Sequence, residues 1–226
     1  MVHFTLFGIP VYIRPSFWVV LAIFGGALSI SSVEDLIYPA LFVIAGFVAI
    51  LSHEMGHALV GRKLGGGQQT IVLELFGGLT SSHGMQLTRG GRALMILAGP
   101  MMTLLLGIIS LGLTWNIVAP VMTSYNLNFW DLAISPFTAA LISPKLYILS
   151  CLIMIGEWWT ILNLLPIYPL DGGQLIAQYI RSPRKVFMTG FITAILIGLL
   201  SFQLFHGYFI PIFMALFAYS NYREYK

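Results

Sequence analysis

A chain of 226 residues that is 58% hydrophobic and only 8% charged cannot build a water-facing surface, because a soluble domain carries about a quarter of its residues as charge. The surplus apolar surface requires lipid, and the length leaves room for one membrane-embedded domain, 1–226, and no second globular one. The formal charge of +3 comes from basic residues scattered over short loops, so no nucleic-acid partner is expected; the single Cys151 excludes an internal disulfide and reads as a small buried hydrophobe.

Residues 1–15 alternate and contain Gly8, Pro10, Arg14 and Pro15. With no basic start before a cleavable apolar core, no signal peptide is expected. The segment 2–13 is expected to be an extended or hairpin strand at the membrane surface. A hydrocarbon core about 30 Å thick needs roughly 20 apolar residues in a helix. Candidate spans fall at 17–31, 38–64, 93–117, 146–165, 186–205 and 208–219, the first and last of them short. Alternatively, 187–219 is one long element kinked near Pro211. The expected fold class is an all-α polytopic membrane protein of about six transmembrane helices, with an N-terminal surface strand and a membrane-re-entrant β-hairpin.

The loop 65–91 supplies that hairpin: apolar β-branched runs flank Gly77-Gly78. A hairpin this apolar is expected to dip into the membrane, where protein or a cavity must cover its backbone. The loop 118–144 is apolar with three prolines and reads as interfacial. With six spans, Arg14, Arg62, Lys63, Arg89, Arg92, Arg181, Arg184, Lys185, Arg223 and Lys226 share one side. Lys145 falls on the other with Glu34, Asp35 and Asp131. The positive-inside bias then places both termini in the cytoplasm, in the cell membrane.

His53-Glu54-Met55-Gly56-His57 carries the chemistry. Positions i and i+4 leave one helix face, so the two imidazoles can grip one metal ion, while Glu54 lies off that line and can reach a water activated there. Ionisable groups at membrane depth are costly and usually serve a function. A structural polar contact between helices is the plainer alternative. A catalytic zinc needs a third protein ligand and an open position. The candidates are Asp171, Glu157, His83, His3 and His206. Asp171 follows two prolines and precedes two glycines in the 166–185 loop, and by itself that pattern is a turn. Beside the histidine pair it is the favoured ligand.

These residues resemble the site-2 protease family of intramembrane zinc metalloproteases, in a minimal form without a PDZ or nucleotide-sensing domain. His53, Glu54 and His57 match its zinc motif. Asn163, Pro166, Pro169, Asp171 and Gly172 match its second signature, and Ala98-Gly99-Pro100 opens the third span as in the family. The resemblance implies one Zn2+ per chain held by His53, His57 and Asp171, with Glu54 as general base and Asn163 supporting the substrate or its developing oxyanion. It also implies that 71–80, including Ile71, Val72, Leu73, Gly77 and Gly78, offers an edge strand to a membrane-spanning protein substrate. Thr103 stands where many relatives carry Asn or Ser. Glu157 lies outside the family pattern, either facing the cavity as a partner or proton relay, or neutral and hydrogen-bonded between helices. His3, His83 and His206 read as solvated, and Trp158 and Trp159 as packing residues. A non-catalytic zinc carrier is the principal rival, and an inactive scaffold the second. A di-iron oxidase would need more histidine boxes than five histidines provide.

Overall fold

The computed structural model describes residues 1–75, 77–84, 86–125 and 128–225. Phe76 of the expected hairpin and Lys226 of the expected cytoplasmic charge set lie outside the described residues, as do the side chains of Glu34 and Asp131. The chain divides into two compact units, Met1–Thr160 and Ile161–Lys226.

The first unit opens with strands β1 (Val2–Leu6) and β2 (Ile9–Ile13), an antiparallel pair. The connecting Phe7 and Gly8 both have positive φ, 50° and 75°. Such two-residue left-handed turns follow the natural twist of a hairpin. A second hairpin, β3 (Gln68–Glu74) and β4 (Gly77–His83), stands where the apolar runs around Gly77-Gly78 foretold it. The two hairpins form one sheet of order β1-β2-β3-β4, because β2 runs parallel to β3 with Val11 opposite Ile71 and Ile13 opposite Leu73.

Period-2 alternation gives this sheet an apolar face. Ile9, Val11, Ile13, Ile71 and Leu73 point to it, and all are essentially buried. They pack with Phe17 and Leu21 of α1 (Pro15–Phe24) and with Ile50, Leu51, Met55 and Ala58 of α2 (Ile37–Gly65). On β4 the same face carries Gly78, Thr80 and Ser82, opposite Leu73, Ile71 and Gln69. The sheet is therefore apolar over most of that face and small or polar along β4. Two contacts fasten it: the Arg62 guanidinium at the end of α2 donates to the Phe7 carbonyl at 2.8 Å, and Arg14 pairs with Glu74 at 2.8 Å.

The remaining helices of this unit are α3 (Arg89–Tyr125), the short α4 (Phe129–Ala133) and α5 (Pro136–Ala140), and α6 (Pro144–Asn163), whose last residues belong to the second unit. Side chains of Asn128 and Ser135 cap α4 and α5, so the 118–144 loop is largely helical. α1 ends at Phe24 instead of reaching residue 31, because Gly25 and Gly26 stop it and Gly26 turns with φ of 90°.

The second unit contains α7 (Asp171–Ala177), α8 (Pro183–Phe205) and α9 (Phe209–Tyr225). The 187–219 region is two helices packed side by side through Ala194, Met214 and Ala218, with Ile167 against them. The break falls at His206, in the left-handed conformation at the end of α8, and not at Pro211, which sits inside α9.

Among the described residues, four helices are long and apolar enough to cross a membrane: α2, α3 over Arg89–Ala119, α6, and α8 over Pro183–Leu204. At 10 and 17 residues, α1 and α9 are shorter than that measure.

Candidate active site

His53 and His57 lie on the buried part of α2, one turn apart, and their rings face each other with Nε2 atoms 3.1 Å apart. The other nitrogen of each ring meets α3. His57 Nδ1–H donates to the Met95 carbonyl at 2.8 Å, and His53 Nδ1 lies 3.4 Å from Thr103 Oγ1. Thr103 is fully buried, and its Oγ1 also lies 3.0 Å from the Pro100 carbonyl, 3.2 Å from the Gly99 carbonyl and 3.0 Å from Thr160 Oγ1. The outer nitrogens are thus turned to α3, and the two Nε2 atoms are turned toward each other in the buried interior, where both could ligate one cation.

The spacing fits such a cation. Two nitrogens at about 2.0–2.1 Å from one tetrahedral zinc stand roughly 3.3 Å apart. Anchoring the outer nitrogen of a metal-binding histidine to a carbonyl or hydroxyl is how proteins fix its tautomer and aim. The opposite wall is cut to match. A Cβ on Gly99 of α3 would overlap the His57 ring and stand 2.9 Å from His53 Nε2, so only glycine fits between the α3 backbone and the imidazole pair.

Glu54, 5% exposed, points from α2 toward β4. Its Oε2 accepts from Thr80 Oγ1 at 2.7 Å, and a Cβ at Gly78 would run into the same carboxylate. The small and polar residues on β4 thus have a purpose: they leave room for the carboxylate and supply one donor. Thr80 Oγ1 also lies 3.1 Å from the Glu54 carbonyl, but its single proton serves the carboxylate at the shorter distance.

Trp159 of α6 closes this side. A Cβ on Gly77 would strike the indole at 2.6–2.7 Å, and the ring stands edge-on to His53 with centroids 6.5 Å apart. Gly77 has φ of 125°, so both its conformation and its neighbour require glycine. The Gly77-Gly78 pair, expected as the turn, is instead paired within β4 opposite Glu74 and Leu73, and it lays bare backbone against Trp159 and Glu54.

In the second unit, Asp171 is the first residue of α7 and is 6% exposed; Asn163 is buried at the end of α6. Gly172 and Gly173 lie against the backbone of Leu164–Tyr168, where any Cβ would overlap carbonyls of Leu164, Leu165 or Ile167. His53, His57 and Asp171 are a buried group whose side chains could hold a metal ion. The other sequence candidates differ: Glu157, His3, His83 and His206 are all exposed, and His3 stacks on Tyr12. Glu157 is therefore not a hydrogen-bonded interior glutamate.

β3 lies between β2 and β4, so Ile71, Val72 and Leu73 belong to an inner strand, and of the two edge strands, β1 and β4, only β4 belongs to this segment. Ile71 and Leu73 point into the core and are fully buried. The edge expected of the whole 71–80 segment is thus confined to the Gly77–His83 strand.

The family model of peptidase family M50 matches residues 41–205, which include the histidine pair, Glu54, Asn163 and Asp171. The chain belongs to peptidase family M50. This is the family of the site-2 proteases, and the resemblance read from the two motifs holds. A zinc metalloprotease of Methanocaldococcus jannaschii is 29% identical over 227 residues, covering 96% of this chain and 57% of that relative. The chain thus spans about half that protein's length. The fold of this M50 chain is similar to that of a site-2 protease from Methanocaldococcus jannaschii, with a TM-score of 0.62, 23% identity, and coverage of 100% of this chain and 95% of that one.

Sequence reasoning found no partner for three residues at the candidate site: Thr103 behind His53, Thr80 on Glu54, and Trp159 against Gly77. Thr103 carried a signal, since it lies four residues after Gly99 on the same helix face. Thr80 and Trp159 did not, because their partners are far away in sequence.

Proposed function

We propose that this M50 chain is a zinc-dependent intramembrane endopeptidase that cuts transmembrane segments of other membrane proteins. The observation that carries this reading is the pair of Nε2 atoms 3.1 Å apart on one buried helix face beside a buried glutamate, a spacing that suits two ligands of one zinc ion. His53, His57 and Asp171 hold one zinc ion per chain, a donor set of two imidazoles and a carboxylate that suits zinc and leaves one corner open. When bound, zinc supplies Lewis acidity at the scissile carbonyl and lowers the pKa of a water to about 7.

The chain's own residues do the rest. Glu54 takes the proton of the attacking water, with Thr80 holding Oε2 so that Oε1 is the free basic oxygen. Asn163 donates toward the developing oxyanion. A helical substrate hides its carbonyls in its own hydrogen bonds, so it must unwind locally; pairing with the edge of β4, at Gly77 and Gly78, compensates the released backbone groups. Of the three β3 residues expected to meet substrate, Val72, on the opposite face of the sheet from Ile71 and Leu73, is the one whose side chain is left for that contact. The whole chain works as one membrane-embedded domain of six spans, with α1 and α9 as the shorter two. Both termini face the cytoplasm, the side on which the basic loops gather.

Substituting Glu54→Gln tests the reading. In detergent with a model transmembrane peptide, the variant should lose cleavage by at least a hundredfold and keep its zinc. Undiminished cleavage would remove Glu54 as the base.

A further inference from the structure

We infer that Asn221, near the end of α9, is a positioning residue for Asp171. The inference rests on the proposal that Asp171 is the third metal ligand. Asn221 is 1% exposed, deep among apolar side chains of the second unit, where an amide is costly unless it is bonded. Its Nδ2 donates to the Tyr168 carbonyl at 2.6 Å and to the Phe217 carbonyl of its own helix at 2.9 Å. The first bond ties α9 to the loop three residues before Asp171. The second fixes the amide on the α9 backbone, so the first is aimed and not floppy.

α8 is shaped to admit this amide. A Cβ on Gly190 would overlap Asn221 Oδ1 and stand 2.9 Å from Cγ. The room left by that glycine is filled by the Asn221 head group, and the Tyr168 nitrogen lies 3.3 Å from the same point. Among the described residues, the other hydrogen bonds of the loop are local. The Pro169 carbonyl accepts from Gln174 Nε2 at 2.9 Å, the Leu170 nitrogen donates to the Ile167 carbonyl at 2.8 Å, and Gly172 and Gly173 press on the backbone behind it. Within 166–170, the Tyr168 carbonyl is held from another helix, whereas the Pro169 and Ile167 carbonyls are held by neighbours in sequence. Ile167 and the Tyr168 ring also pack the loop on the α8–α9 pair, and Asn221 adds the directional bond to its backbone, so α7 with Asp171 at its first position follows a loop that Asn221 helps to aim.

A ligand displaced by about 1 Å loses much of its hold on zinc, since supporting groups typically contribute 10–100-fold to metal affinity. The test is the zinc dissociation constant of the full chain in detergent, measured by competition with a chromogenic chelator. Asn221→Leu should weaken zinc at least tenfold while metal-free unfolding temperature and helical content stay close to wild type. In the Asp171→Ala background, Asn221→Leu should change zinc affinity less than twofold, an outcome that general destabilisation would not give. An unchanged affinity in Asn221→Leu overturns the inference. If Asn221→Leu does not assemble, Gly190→Ala carries the same test, because it keeps the amide and shifts it: a tenfold loss supports the assignment and wild-type affinity overturns it. Wild-type affinity in Asp171→Ala would instead show that the ligand assignment is wrong, which separates that failure from this one.

Discussion

At the residue scale, the site is built as much from missing side chains as from present ones. Gly99 leaves space for two imidazoles, so Gly99→Ala should abolish zinc binding, as metal analysis of the purified variant would reveal; a full complement of zinc would refute the packing argument. Gly78 leaves space for the Glu54 carboxylate instead. Gly78→Ala should therefore cut cleavage at least tenfold with zinc retained, a different signature from the same substitution elsewhere. Thr103→Val keeps the shape and removes the acceptor behind His53. Zinc affinity should fall about 10–100-fold, the usual cost of losing such a partner. Equal affinity in chelator competition would mean that the 3.4 Å contact does not orient the ring.

At the element scale, the divide between what the sequence disclosed and what it hid follows the range of the interaction. The i, i+4 spacing of His53 and His57 is fixed within one helical turn, so their shared face was legible. The β3–β4 hairpin was legible too, because its turn and its alternation are local. The parallel pairing of β2 with β3 was not, since the whole of α1 and α2 separates Val11 from Ile71 along the chain. The same holds for Trp159 on Gly77 and for Asn221 on Tyr168: neither a Trp in an apolar run nor an Asn near a chain end announces a distant partner. The end of α1 at Gly25-Gly26 was visible as a glycine pair, but the apolar residues after it masked the stop. Because Trp159 clamps the start of β4, Gly77→Ala should displace that strand and impair cleavage while leaving zinc in place; activity within twofold of wild type would show that the strand is not held there.

At the scale of the whole molecule, the proposed function sets one chemical demand: a hydrolytic centre needs water and charge, and the bilayer excludes both. The four long apolar helices meet the demand of lipid, and among the described residues His53, Glu54, His57, Asn163 and Asp171 are buried rather than set against the acyl chains. The proposed orientation is checked by single cysteines in a Cys151→Ala background. Arg181→Cys should react with a membrane-impermeant maleimide from the cytoplasmic side and Lys145→Cys from the opposite side; the reverse pattern would invert the topology. The central claim is tested most directly by X-ray absorption at the zinc edge on purified protein. One zinc per chain with two imidazole nitrogens and a carboxylate oxygen at about 2.0–2.2 Å is the predicted result, with the oxygen shell altered in Asp171→Ala. A chain that holds no zinc, or a spectrum that Asp171→Ala leaves unchanged, would contradict it.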